Sequence, residues 1–186
     1  MVRFISGLVF GFGGEAGKAL KGKDYRVPEG MPYVRREYIH GAPQPKITKF
    51  TMGNPKGDFS YRVSLLPLKK VQIRHNALEA LRVTVNKQLA DKLGGENYCL
   101  RIKAYPHVVL RENKMMAFAG ADRLQEGMRR AFGKAVGLAA RVEAGRPVVE
   151  VEVKAEGIEV AKRALKIGAS KLPTPCTIQI APLQRG

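Results

Sequence analysis

From Phe59 onward the apolar positions fall into blocks of two alternating periods. Phe59, Tyr61, Val63 and Leu65 recur at every second residue, the spacing that places side chains on one face of a strand. Over residues 70–93 the spacing becomes helical. Ile73, Ala77, Ala80, Leu81, Val85 and Leu89 form one stripe, Arg74, Asn76, Arg82 and Lys87 lie opposite, and Gly94-Gly95 ends the helix. Residues 97–111 alternate again. Tyr98, Leu100, Ile102 and Ala104 oppose Arg101 and Lys103, and a short strand follows Pro106 from His107 to Arg111. Residues 112–120 fit neither period and read as a loop. Residues 121–132 predict a short helix with Leu124, Met128 and Ala131 inward and Gly133 as its stop. Two strands, 135–142 and 147–154, flank the turn Glu143–Arg146. In the second, Val149, Val151 and Val153 alternate with Glu150, Glu152 and Lys154. Ile158, Ala161, Leu165, Ala169 and Leu172 stripe a second helix that Pro173 and Pro175 end, and residues 176–180 close as a strand.

This order predicts an α+β fold. An antiparallel or mixed sheet of half-polar strands packs against two main helices in a single domain over residues 59–182. Residues 23–58 show no sustained period, and Pro32, Pro43, Pro45 and Pro55 forbid a continuous helix. They read as an extended, solvent-exposed arm that gains order on a partner. Residues 1–22 read as an atypical extension, disordered or begun at too early a start. Their short apolar run is broken by glycines, unlike a signal peptide. Gly11, Gly13 and Ala16 imitate a dinucleotide fingerprint, but the charged segment that follows is too short for a βαβ unit.

Charge narrows the choice of partner. The 186 residues carry 33 Lys plus Arg against 16 Asp plus Glu, a net +17, and the first 146 residues supply +15 of it. Such an imbalance points to a polyanion, and nucleic acid is the commonest one. No apolar run approaches the ~18 residues of a membrane span. Cys99 and Cys176 sit in strand-like stretches and read as buried thiols, too far apart in sequence for a compact metal site with His40, His75 or His107.

Arg111, Lys114, Arg123, Arg129, Arg130, Lys134 and Arg141 surround the loop, interspersed with Gly120, Gly127, Gly133 and Gly137. Arginine forks two hydrogen bonds onto phosphate, and glycine lets backbone approach it closely. Met115, Met116 and Phe118 are too apolar for a free loop, and stacked bases offer them a surface. Arg35, Arg36, Lys46 and Lys49 on the arm, Arg74, His75 and Asn76 at the first helix, and Lys103 complete the expected RNA contacts. An enzyme has little support. Asp122 reads as a helix cap or a partner for Arg123, and the chain has no HExxH and no phosphate-binding loop, since Gly17-Lys18 is followed by Ala19.

Three stretches carry a resemblance: REYIHGAPQPKITKFTMGN (36–54), VQIRHNALEALR (71–82) and YPHVVLRENKMMAFAGADRLQEGMRRAFGKAVGLAARV (105–142). They resemble the archaeal and eukaryotic L ten e branch of a universal large-subunit ribosomal protein family, whose bacterial counterpart is L sixteen. The resemblance runs from about Tyr33 to about Ile180. It implies an α+β domain with a hammerhead-like β motif that binds large-subunit ribosomal RNA at the base of the central protuberance, beside A-site tRNA. It also implies that Glu112, Asn113, Lys114, Met115, Met116, Ala117, Phe118, Ala119, Gly120 and Ala121 form a loop directed at the peptidyl transferase centre and the tRNA acceptor ends. The implied partners are ribosomal RNA, A-site and P-site tRNA and neighbouring ribosomal proteins, in the cytoplasmic ribosome, with no cofactor, metal, membrane or small-molecule substrate. The alternatives are a basic RNA- or DNA-binding protein, or an RNA-modifying enzyme, outside the ribosome.

Overall fold

A computed structural model of the chain describes residue 28, residues 30–112 and residues 133–183. Among the described residues the strands are β1 (Thr51–Gly53), β2 (Tyr61–Pro67), β3 (Val71–Arg74), β4 (Tyr98–Ile102), β5 (Val108–Glu112), β6 (Lys134–Val142), β7 (Val149–Val153) and β8 (Cys176–Pro182). The helices are α1 (His75–Leu93) and α2 (Ile158–Ala169). The strands form two antiparallel sheets rather than one. The larger has the order β1-β4-β7-β2-β8 and the smaller β3-β6-β5. The fold is α+β, as the periodicity predicts. The extra sheet arises because the Glu143–Arg146 turn, closed by Arg146 N–H donating to the Glu143 carbonyl, carries the chain from one sheet to the other.

The first helix begins later than its stripe suggests. Val71–Arg74 is a strand, in register with β6 through Val71↔Val142 and Ile73↔Ala140, and Arg74 remains extended as the residue before α1. Ile73 can be phased with the helical stripe, but Val71 and Ile73 share one face only in a strand, and pairing with β6 makes them one. Starting α1 at His75 rotates its inward face to Leu78, Leu81, Val85 and Leu89, so Ala80 is exposed instead of buried. The predicted helix over 121–132 lies outside the described residues.

One core joins the layers. Val63, Leu65, Leu100, Val149, Val151 and Val153 of the larger sheet meet Leu78, Leu81, Val85 and Leu89 of α1 and Ala161, Ala164 and Leu165 of α2. Val71, Ile73, Ala140 and Val142 of the smaller sheet belong to the same cluster. Cys99 is buried as expected, whereas Cys176, near the uncovered edge of β8, is only half-buried. Both are free thiols. Burial raises the pKa of each, that of Cys176 to about 11, so neither is an activated nucleophile.

The other face of the larger sheet is ionic. Glu150 and Glu152 were expected as the polar side of β7, yet each is only 6% exposed. Cations from the flanking strands cover them. Arg62 lies 3.0 Å from Glu152, Arg101 3.4 Å from Glu152 and Lys103 3.3 Å from Glu150.

The helices are in close contact at Gly168, where an added Cβ would stand 2.5 Å from Val85 Cγ2. Gly168→Val is therefore expected to lower stability in urea unfolding by about 1–3 kcal/mol, the range for overpacking a core. Adding Val85→Ala should recover part of that loss, because the two changes share one contact. Strictly additive losses would show that the crossing is not the cause.

Candidate nucleic-acid interface

Residues 30–50 have little regular structure, only a single 3-10 turn at Arg36–Tyr38, but they are not loose. Several anchors hold them to the domain. The Gly30 carbonyl accepts a hydrogen bond from Arg141 Nη1 at 2.8 Å, and the Tyr33 carbonyl accepts one from Val109 N–H at 2.8 Å. The Arg111 guanidinium lies 4.8 Å from the centre of the Tyr33 ring, within range of a cation–π attraction. Ile39 packs with Val109 and Leu138 in a small second cluster, and Ile47 is fully buried in the main core. Lys46 N–H donates to His75 Nδ1 at 3.2 Å. The Phe50 carbonyl accepts from Ile102 N–H at 2.8 Å, and the Phe50 ring meets Tyr105 at 5.5 Å. Most side chains of residues 30–50 are exposed, while Ile39 and Ile47 are buried and dock the segment on the domain.

Between these anchors stand the cations. Arg35, Arg36, Lys46 and Lys49 are exposed, as are Arg74 and Asn76 beside the start of α1 and Lys134 at the start of β6. Tyr38 and Tyr105 are 68% and 54% exposed and offer aromatic faces next to this charge. Sequence periodicity missed both tyrosines. The available signal was an aromatic residue set among basic ones. The geometry suits contact with a phosphate backbone, with rings available for stacking.

Other expected contacts are placed differently. Arg141 and Arg111 are half-buried and reach the arm; Arg141 Nε also donates to Gln72 Oε1 at 3.2 Å. Lys103 is exposed but belongs to the ionic face of the larger sheet, paired with Glu150. His75 is 5% exposed and turned inward. Its pKa is lowered first by desolvation and then by the charges of Arg74 and Lys46, so it is neutral at pH 7. With Nδ1 accepting from Lys46, the ring proton resides on Nε2. Glu112 ends β5 opposite Lys134 in register. Arg123, Arg129 and Arg130, and loop residues Asn113, Lys114, Met115, Met116, Ala117, Phe118, Ala119, Gly120 and Ala121, lie outside the described residues. Among the described residues no group of three or more His, Cys, Asp or Glu is arranged to hold a metal ion, and no helix is long and apolar enough to cross a membrane.

Comparison with known proteins identifies relatives of this basic chain. The family model described as ribosomal protein L16p/L10e matches residues 28–179. The chain is 62% identical over 155 residues to the large ribosomal subunit protein uL16 of Hyperthermus butylicus, covering 83% of this chain and 86% of that one. It is 61% identical over 157 residues to the uL16 protein of Staphylothermus marinus, covering 84% and 90% of the two chains. With uL16 of Sulfolobus acidocaldarius it shares 57% identity over 166 residues, 88% of this chain and 94% of the relative.

The His75 contact makes stability depend on pH. A proton on Nδ1 removes the acceptor for Lys46 N–H and adds charge beside Arg74 and Lys46. Because the folded pKa lies below the ordinary value of about 6.5, this contribution is complete above that pH and is lost as the pH falls through the depressed folded value. Urea midpoints measured from pH 8 to pH 5 should decline below about pH 6.5. In His75→Asn, whose side-chain carbonyl still accepts, that decline should be shallower. Parallel profiles for the two proteins would contradict the assignment.

Proposed function

Because the chain belongs to the L16p/L10e family of ribosomal proteins, we propose that it is a structural component of the large ribosomal subunit that holds ribosomal RNA on an array of fixed cations. One observation carries this reading: Arg35, Arg36, Lys46 and Lys49 are exposed on a backbone that is itself anchored to the domain. Phosphate contacts position a protein on RNA without reading sequence, and their strength comes from counterion release. The role is architectural, with the chain ordering RNA and tRNA while the chemistry of translation takes place on RNA.

The resemblance supports a finer placement, at the base of the central protuberance beside A-site tRNA. The segment after Glu112 returns at Lys134, its register partner on the neighbouring strand. The two ends of the intervening segment are therefore neighbours at one end of the smaller sheet. That supports the resemblance's reading of Glu112–Ala121 as a loop directed toward the peptidyl transferase centre, with Arg123, Arg129 and Arg130 as further RNA contacts. A-site and P-site tRNA and neighbouring ribosomal proteins are the further partners.

If about ten phosphates are neutralised, log affinity for a large-subunit RNA fragment should fall against log salt with a slope of roughly −7 to −9. Replacing Arg35, Arg36, Lys46 and Lys49 together by alanine should make that slope shallower by about 3 while leaving the melting transition intact. Duplex DNA should compete poorly against the RNA. A slope near zero, or equal competition by DNA, would contradict the reading.

A further inference from the structure

Among the described residues, the exposed cations Arg35, Arg36, Lys46 and Lys49 each lie within three residues of a point where the arm is fastened. Arg35 and Arg36 stand between Tyr33, held at Val109 and Arg111, and Ile39, buried against Val109 and Leu138. Lys46 precedes buried Ile47 and gives its own N–H to His75. Lys49 precedes Phe50, which is bonded to Ile102. The fastening groups include three residues whose side chains the sequence pattern assigned to RNA. Arg141 and Arg111 instead reach Gly30 and the Tyr33 ring, and His75 accepts from Lys46.

We propose that Tyr33, His75, Arg111 and Arg141 are positioning residues, a clasp that holds the arm in its RNA-binding form before RNA arrives. The proposal rests on the RNA-binding reading above and deepens it. A loose arm meets RNA in only a fraction of its conformations, and the apparent affinity falls by that fraction. A clasped arm presents its charges as a set, and the ordering entropy is met within the protein by the anchors. The clasp and a direct phosphate contact differ in one measurable way. Losing a phosphate contact makes the salt slope shallower by about 0.7–0.9, whereas loosening the arm weakens binding and leaves the number of released counterions unchanged.

The test measures binding of the full chain to a large-subunit RNA fragment across a salt series for wild type, Tyr33→Ala and Arg141→Gln. It also measures the rate of tryptic cleavage after Arg35 and Arg36 in the free protein. Tyr33→Ala removes no charge. It is expected to raise the apparent Kd by about three- to tenfold, keep the wild-type slope, and speed cleavage of the arm. Arg141→Gln should behave the same way despite losing a charge. Unchanged affinity and cleavage in Tyr33→Ala would overturn the clasp, and so would a slope shallower by about one in Arg141→Gln, which marks a phosphate contact. Thermal melting of both variants separates arm loosening from global unfolding. A variant that fails to melt cooperatively would make the residue part of the core and overturn its positioning role. If wild type itself ignored the RNA, the RNA-binding reading would fail, while the cleavage rates would still decide whether the clasp exists.

Discussion

The structure depends on an irregular basic segment being packed onto the domain it precedes. Ile47, fully buried in the main core, is the deepest of these attachments. Burying such a side chain contributes about 1.5–3 kcal/mol, more than a typical neutral hydrogen bond at about 0.5–1.5 kcal/mol. Once Ile47 is seated, its neighbour Lys46 lies against the start of α1, where neutral His75 accepts the Lys46 backbone N–H. Arg35 and Arg36 are placed in turn by Tyr33 and Ile39 on the smaller sheet. Position of charge thus follows from burial of apolar groups. The domain acts as a jig for cations whose own side chains remain in water.

The two sheets divide the electrostatics. On the larger sheet Glu150 and Glu152 are buried beneath Arg62, Arg101 and Lys103, so most of that basic charge is offset within the protein. Removing one of the carboxylates would leave cations crowded together, and removing the cations would strand buried carboxylates. On the arm and at the start of the smaller sheet, by contrast, cations reach the surface. Arg35, Arg36, Lys46, Lys49 and Lys134 are exposed there. The net charge of +17 is therefore directed by where acids are buried as well as by where bases occur.

Much of this was legible in the chain. Strict alternation located β2, β4 and β7, and Gly94-Gly95 marked the end of α1, while α2 stops at Ala169, short of the prolines expected to end it. Long-range facts were not legible. Ile73 alone can be phased with the helix that follows, and the strand Val71–Arg74 is completed by its pairing with distant β6. The charge pattern identified Arg111 and Arg141 as cations near the loop. It could not show that their side chains turn to Tyr33 and Gly30, because those partners lie far off in sequence. His75 looked like one more polar residue among bases, and its burial follows from the phase of α1 set by β3. The basic class of partner is a property of composition, whereas the identity of each contact is a property of packing.

Amide hydrogen exchange in the isolated protein, free of RNA, tests the central claim most directly. The N–H groups of Lys46 and Val109, which hydrogen-bond to His75 and to the Tyr33 carbonyl, are expected to exchange far more slowly than in an unfolded chain. Exchange of both amides at unfolded-chain rates, while the amides of β7 stay protected, would show that the arm is loose until RNA orders it and would contradict the account.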